Sequence, residues 1–580
     1  MSTTVADCMV EALAASGVRR VYGLPGDSLN GFTDSLRRNG TVRWAHVRHE
    51  ESAAFAAAGE AALTGELAVV AGSCGPGNLH LINGLYDAQR SRVPVLAIAA
   101  HIPADEIGGE YFQETHPQEL FRECSVYAEL AATGEQVPRL LRIAMRTALE
   151  RRGVSVLVVP GNMLLARGDA SAFSHPVRAT ASHVTPDSAA LEAAADVLNR
   201  AERVTILGGA GCQGAHDEVM ALAGALKSPI VHALRGKEFL EYDNPYDVGL
   251  TGLIGYSSGY RAMEHCDALL MLGTDFPYRP FFPAPDVPVV QVDIRGEHIG
   301  RRVGVKVPLV GTVKDTAAAL LPLIRAKDDT KFLDKLTGHY RTVRSRLDDL
   351  TEGKPSASMM HPQQVAAAVD RHASADAVFT ADVGTPTVWA ARYLTMNGRR
   401  RLIGSFNHGS MANALPQAIG AQCASGNGRQ AVALCGDGGL SMLLGELITL
   451  RHLDLPVKVV VFNNQALSFV ELEMKAGGIV NYGTDLEDLD FGAIARAIGL
   501  FGARVDRADQ LEETMQKAFA HEGPALVDAR TARQELSLPP NITFEQMKGF
   551  TLFATRTILT GRGDEIVELA KTNLRQLPLL

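Results

Sequence analysis

Asp437 and Asn464 are residues of the kinds that hold a small divalent cation. The acid sits in Gly436-Asp437-Gly438-Gly439, and Asn463-Asn464 follows after a mostly apolar stretch. Carboxylate and amide oxygens are hard ligands suited to Mg²⁺, which takes one or two protein oxygens and leaves the remaining positions to phosphate and water. Glycines beside the acid let backbone N–H groups approach a phosphate closely. A lone Gly-Asp-Gly is only a tight turn, so the elements around it decide. Residues 431–435 are a short apolar run, as in a strand buried on both faces of a parallel sheet. Residues 441–453 have helical spacing, and residues 457–462 form a second apolar run. The acid then ends one parallel strand and the amide ends the next, at the edge where open α/β sheets bind ligands. The pattern fits a diphosphate held through Mg²⁺.

Glu50 is the second residue of chemical interest. It lies in Arg48-His49-Glu50-Glu51, where an apolar run at 42–47 gives way to an alanine-rich helix over 52–63. Taken alone it reads better as a solvated acid favoured by a helix N-terminus, and only the Asp437/Asn464 block shifts it towards a catalytic role.

The rest of the chain supplies a frame for these residues. Its 580 residues suit three or four domains, with 46% hydrophobic and 21% charged residues. A net charge of −9 leaves no basic excess for a nucleic-acid surface, so no nucleic-acid partner is expected. Seven scattered cysteines without a C-x-x-C pair read as reduced, buried thiols. The N-terminus has no charged-then-apolar signal pattern, and no apolar run is long enough to span a membrane, so a cytoplasmic location is expected. Apolar runs at 18–22, 42–47, 67–71, 94–100 and 154–159 alternate with helical patterns in the first third. Further runs at 204–207, 230–233, 268–272 and 289–294 define a middle unit, and those near 377–381, 431–434, 457–462 and 525–529 a third. Residues 166–186 read as a linker, and the charged stretch 325–355 as a second separator. The expectation is three consecutive doubly wound parallel-sheet α/β domains, at 1–175, 186–330 and 355–530, followed by a tail over 531–580.

The chain resembles the thiamine diphosphate enzymes, and among them the pyruvate oxidase branch, along nearly its whole length. The resemblance rests on residues 26–31, Arg48-His49-Glu50-Glu51, residues 72–80, Tyr111-Phe112-Gln113-Glu114, Asp382-Val383-Gly384-Thr385, residues 407–413 and the 436–464 block. It implies that Asp437, Asn464 and the carbonyl of Ala466 hold Mg²⁺. Gly409, Ser410 and Met411 would touch the thiamine, with Met411 as an apolar wedge. Gly438, Gly439 and the run Asn464-Gln465-Ala466-Leu467-Ser468-Phe469-Val470 would line the diphosphate. Glu50 would hydrogen-bond the aminopyrimidine ring, and Phe112 and Gln113 would face the reacting centre from the same side. Val383 and Phe469 would shape a small pocket for the methyl group of pyruvate, although each apolar residue by itself reads as core packing.

The middle unit carries Gly209-x-Gly211-x-x-Gly214 after a strand, a weak dinucleotide fingerprint by itself. The resemblance implies FAD there, against Gly209, Gly211, Thr251, Gly252, Leu253, Ile254, Thr274, Asp275, Phe276, Pro277 and Tyr278, with Asp293 accepting from a ribose hydroxyl. It also implies that Glu50 and Asp437 of one site belong to different subunits, hence a homo-oligomer, commonly a tetramer.

The tail reads as a helix ending near Thr560, a break at Gly561-Arg562-Gly563, and a helix over 564–574 with Ile566, Leu569, Ala570 and Asn573 near one stripe. That pattern fits an interfacial amphipathic helix and, equally, a helix docked on the protein's own surface. The resemblance points to a lipid-triggered tail that docks on the inner face of the cell membrane through Phe550, Phe553 and leucines, since residues 573–580 offer no Trp or Tyr. The activity implied is oxidative decarboxylation of pyruvate to acetate and CO₂, with electrons passing through FAD to ubiquinone. The alternatives are an acetohydroxyacid-synthase-like carboligase with structural FAD, an oxygen-using oxidase forming acetyl phosphate, and a non-catalytic cofactor-binding scaffold. The last would be expected to lack Glu50 or Asp437, and both are present.

Overall fold

The computed structural model describes residues 3–173, 175–352, 360–426, 428–536, 544–559 and 562–573. Its frame is three six-stranded parallel sheets. The first contains β1 (Arg20–Gly23), β2 (Arg43–His46), β3 (Ala68–Gly72), β4 (Val95–His101), β5 (Tyr127–Leu130) and β6 (Val154–Pro160), in the order β2-β1-β3-β4-β6-β5. The second contains β7 (Val204–Gly208), β8 (Ile230–His232), β9 (Asp247–Leu250), β10 (Ala268–Leu272), β11 (Val289–Asp293) and β12 (Val307–Val310), in the order β12-β11-β10-β7-β8-β9. The third contains β13 (Val378–Ala381), β14 (Arg401–Gly404), β15 (Ala431–Gly436), β16 (Lys458–Asn463), β17 (Phe501–Val505) and β18 (Ala525–Arg530), in the order β14-β13-β15-β16-β18-β17.

The inner strands are the continuous apolar runs, because helices cover both faces of a parallel sheet. Every residue of β3, β4, β6, β10 and β11 is buried. The apolar runs omit β5, β9, β12, β14 and β17. All five lie at sheet edges; β9 is buried but interrupted by Asp247 and Gly249.

The charged separator 325–355 contains a helix of 21 residues, Lys331–Thr351, that buries Leu333, Leu336, Leu347 and Leu350. Its stripe is sparse among charges, so it reads as solvated from sequence. The single helix expected over 441–453 is two helices, Asp437–Met442 and Glu446–His452. The first begins directly at the end of β15, and Gly445 separates them beside the Arg48 side chain.

The alanine-rich helix Glu50–Thr64 is buried on nearly all sides. It lies between its own sheet and the helix Ala414–Ser425 of the third unit, and one apolar core runs through both. The two helices approach backbone to backbone: a Cβ on Gly420 would overlap the Ala56 carbonyl. Small residues are therefore the price of this contact, and the contact fixes where Glu50 stands. All seven cysteines are free. Among the described residues no helix is long and apolar enough to cross a membrane.

Candidate functional site

β15 and β16 are neighbours, with Gly436 opposite Phe462, so Asp437 and Asn464 leave adjacent strands at the same edge of the third sheet. The Asp437 carboxylate is buried. Its Oδ2 accepts the N–H of Gln465 at 2.6 Å and of Asn464 at 3.2 Å, and its Oδ1 accepts from Gly438 at 2.9 Å. Burial pushes this carboxyl up to about 6, against the lowering effect of those N–H bonds. A buried carboxylate ringed by neutral dipoles suits a cation as counter-charge. Asn464 Oδ1 accepts from Ala466 N–H at 3.1 Å, and Gln465 takes a left-handed φ of 59° that turns the loop sharply. Gln465 Nε2 is buried without a hydrogen-bond partner among the described residues. The donor set and this orphaned amide fit a metal-bound diphosphate.

The structure brings several of the expected thiamine contacts to the same place. A Cβ built on Gly438 would lie 3.0 Å from Leu467 Cδ2 and 3.3 Å from Met411 Cε. Ser410 Oγ accepts from Asn83 Nδ2 at 3.0 Å, and the same amide donates to Glu51 Oε1 at 2.7 Å, linking the 409–411 loop to the first unit. Ala466 is buried, Val383, Ser468 and Phe469 are half-buried, and Val470 is exposed.

Asp382 is a site residue that the sequence reading quoted without giving it a role. It follows β13, and its Oδ1 accepts from Ala414 N–H at 2.9 Å while Oδ2 accepts from Gly436 N–H at 3.2 Å. A Cβ on Gly439 would overlap this carboxylate. Burial pushes Asp382 up to about 7. One acid thus ties together the loops carrying Met411 and Asp437. Its position after an apolar run, like that of Asp437, is the signal that could have singled it out.

Glu50 starts its helix at the edge of the first sheet and is 5% exposed. Its Oε2 lies 2.9 Å from His80 Nδ1, and a Cβ on Gly77 would lie 3.1 Å from Oε1. The turn before it is held from the third unit: Glu446 Oε1 accepts the N–H of Arg48 at 2.9 Å and of His49 at 3.1 Å. Gln113, with φ 64°, lies against Gly75 and accepts from the Cys74 thiol at 3.3 Å. The 73–80 segment therefore touches both Glu50 and Gln113. Phe112 is 77% exposed in the single chain.

The middle sheet has the strand order of dinucleotide-binding sheets, with its switch point between β7 and β10. Gly211 N–H donates to Gly273 O at 2.9 Å, and a Cβ on Gly211 would come within 2.7 Å of the Gly273 backbone, so the two expected loops meet at this edge. Gly209 packs in the same way on Thr274. Gly252, with φ 98°, faces the rings of Phe276 and Tyr278, which meet edge to face at 5.5 Å. Leu253, Pro277 and Tyr278 are exposed and Ile254 half-buried. Thr251 Oγ1 is buried without a partner among the described residues. Asp293 ends β11, buried, with Oδ1 accepting from Arg295 N–H at 2.9 Å. Asp275 is ion-paired to Arg302 at 2.9 Å and lies 3.6 Å from Arg92. Arg235, half-buried, donates to Ser91 O at 2.9 Å. Two glycine loops, an orphaned hydroxyl and several guanidinium groups fit a dinucleotide with its diphosphate.

The tail helix Phe544–Leu559 packs on Ser468–Ala476, the helix that follows the Asn464 loop. Phe553 is buried there, its ring centroid 5.8 Å from Lys475 Nζ. Phe553, expected to meet a membrane, is thus covered in this arrangement, while Met547, Leu552, Ile558, Leu559 and Val567 are the exposed large apolar residues among the described residues of the tail. Arg556 donates to Gly478 O at 2.7 Å and Arg562 to Asn481 O at 2.9 Å. The same 477–486 segment pairs with the cofactor loop through Leu467 N–H to Thr484 O and Leu486 N–H to Gln465 O. Gly561 and residues 574–580 lie outside the described residues.

Comparison with known proteins agrees with this geometry. Three thiamine pyrophosphate enzyme profiles match: the N-terminal TPP binding domain over residues 3–120, the central domain over 191–320 and the C-terminal TPP binding domain over 382–529. YdaP of Bacillus subtilis, a protein proposed to contain thiamine pyrophosphate, is 37% identical over 98% of each chain. Pyruvate oxidase of Lactiplantibacillus plantarum is 30% identical over 90% of this chain and 87% of its own. The large subunit of acetolactate synthase isozyme 2 of Escherichia coli is 31% identical over 90% of this chain and 94% of its own.

Proposed function

From the premise that this chain belongs to the thiamine pyrophosphate enzymes, we propose that it is a pyruvate dehydrogenase (quinone). It converts pyruvate, water and ubiquinone into acetate, CO₂ and ubiquinol. Bound thiamine diphosphate supplies a thiazolium that takes up the electron pair released with CO₂, and FAD supplies the two-electron relay to the quinone.

The chain's own residues supply the positioning. Asp437, Asn464 and the Ala466 carbonyl hold Mg²⁺. The backbone at Gly438 and Gly439 would approach the diphosphate, and Met411 would pack against the thiamine as an apolar wedge. Glu50, shielded from water, holds a proton against the aminopyrimidine nitrogen. Phe112 and Gln113 would face the reacting centre from the same side as Glu50, and Val383 and Phe469 would shape a small apolar pocket for the methyl group of pyruvate. Asp293 accepts from the flavin nucleotide's ribose. The docked tail shields the loop after Asn464 until its exposed apolar residues meet a lipid surface, the phase that holds ubiquinone. The enzyme works as a homo-oligomer on the inner face of the cell membrane.

The observation that carries this reading over its rivals is the tail seated on the helix next to the cofactor loop. A second reading, an acetolactate-forming carboligase with structural FAD, draws support from the identity with acetolactate synthase. Product analysis separates them. Acetate formed in step with quinone reduction supports the oxidase; acetolactate formed without quinone reduction overturns it.

A further inference from the structure

The Glu50 carboxyl is shut off from water. Its side chain is 7% exposed, whereas that of His80, which it meets at 2.9 Å, is 45% exposed. His80 ends the short helix Pro76–His80, and its ring stacks on His49 with centroids 4.3 Å apart and planes 25° apart. His49 is itself fixed, since its Nδ1 accepts the Glu51 N–H at 3.2 Å. The stack orients the His80 ring so that Nδ1 faces Glu50 while the side chain stays exposed in the chain.

Three potential ligand atoms of His49, Glu50 and His80 lie within 4.8 Å of one another. They do not form a convergent metal site. Imidazole lone pairs lie in the ring plane, and two stacked rings cannot both direct theirs at one ion. The Nδ1 lone pair of His49 is also already engaged. What the arrangement does provide is a hydrogen-bonded line from a buried acid to a solvent-exposed imidazole.

We infer that His80 is the proton conduit between Glu50 and water, an inference that rests on Glu50 being the carboxyl that serves the aminopyrimidine ring. Each turnover moves a proton off the cofactor and another back, and a buried carboxyl cannot exchange with bulk solvent unaided. The outward transfer balances in two moves. The Glu50 hydroxyl proton passes from Oε2 to His80 Nδ1, leaving a carboxylate and an imidazolium. The imidazolium then releases its Nε2 proton to water, and the reverse sequence reloads Glu50. The titratable groups facing His80 are Glu50 and His49, with Glu51 4.0 Å beyond His49. His80 acts through Glu50 and is a positioning residue.

The test is hydrogen–deuterium exchange at the thiazolium C2 of the holoenzyme, measured by acid quench and proton NMR in the absence of pyruvate. His80→Ala is expected to slow exchange by about a hundredfold, with partial recovery on adding imidazole. His80→Asn keeps a donor to Glu50 yet cannot pass a proton, so it is expected to be similarly slow and to retain cofactor affinity. Glu50→Gln is the control and is expected to be slower still. If Glu50→Gln is slow while His80→Asn exchanges at the wild-type rate, the conduit is wrong and the role of Glu50 stands. If Glu50→Gln itself exchanges at the wild-type rate, both assignments fall.

Discussion

Glu446 accepts the backbone N–H of His49 at 3.1 Å, so a carboxylate of the third unit holds the turn from which Glu50 is presented by the first. Nearly four hundred residues separate the partners in sequence. Glu446 also accepts from Arg48 N–H and from Thr449 Oγ1. Every hydrogen bond to Glu446 is buried or partly buried, and burial raises its pKa despite them. The edge carrying Glu50 is therefore pre-positioned by packing between units.

Glu446→Ala leaves two N–H groups without their acceptor. The expected cost is about 3 kcal/mol in unfolding free energy, with a fall in turnover because Glu50 loses its fixed approach. Urea unfolding together with steady-state rates checks both. A variant that keeps wild-type stability would show that water replaces the carboxylate without loss.

Glu50→Gln is expected to keep the fold and the flavin content while turnover falls by about two to four orders of magnitude. Circular dichroism, flavin absorbance and the rate of pyruvate consumption are the readouts. Undiminished turnover would remove Glu50 from the mechanism.

Four buried carboxyls should give the cofactor-free protein a marked pH dependence. Burial raises Asp382 to about 7 and Asp87, Asp437 and Asp528 to about 6. Folded values above the unfolded ones mean that the folded state binds more protons through this range. Their stability contribution is complete below about pH 4 and is lost as pH rises through 6 and 7. Unfolding free energy is expected to fall between about pH 4 and pH 7 and to level off above it, and Asp382→Asn to flatten that slope. Chemical denaturation at several pH values measures it; an unchanged slope in the variant would show that Asp382 stays ionised throughout.

Truncation after Arg533 removes Phe553 and with it the contact to Lys475 on the helix beside the cofactor loop. Thiamine diphosphate binding is expected to survive and the response to anionic liposomes to disappear. Calorimetric titration with the cofactor, and activity with and without liposomes, distinguish the two effects. A truncated protein that liposomes still activate would refute the role given to the tail.

Much of the frame is legible in the sequence, for a reason visible in its buried strands. Runs such as Val95–His101 and Val154–Pro160 are apolar throughout because both faces of the sheet are covered. Edge strands lack that signature: Tyr127–Leu130 has no fully buried residue, and Val307–Val310 alternates buried with exposed. The shared strand order of the first and third sheets is also invisible in sequence, since crossover connections and not residue patterns set it. Around the site, Asp437 and Asn464 announce themselves through glycines and flanking strands. Asp382 shares that position after an apolar run, but its bonds to Ala414 and Gly436 exist only in the fold, as does the meeting of the exposed His80 with Glu50. The links Glu446 to His49 and Asn83 to Ser410 exist only once the units pack.

The most direct test of the proposed activity is the flavin spectrum of the holoenzyme mixed anaerobically with thiamine diphosphate, Mg²⁺ and pyruvate, with and without anionic liposomes. The quinone-linked oxidase predicts rapid bleaching of the flavin, faster with liposomes and reversed by added ubiquinone. A flavin that stays oxidised while CO₂ and acetolactate accumulate would contradict it.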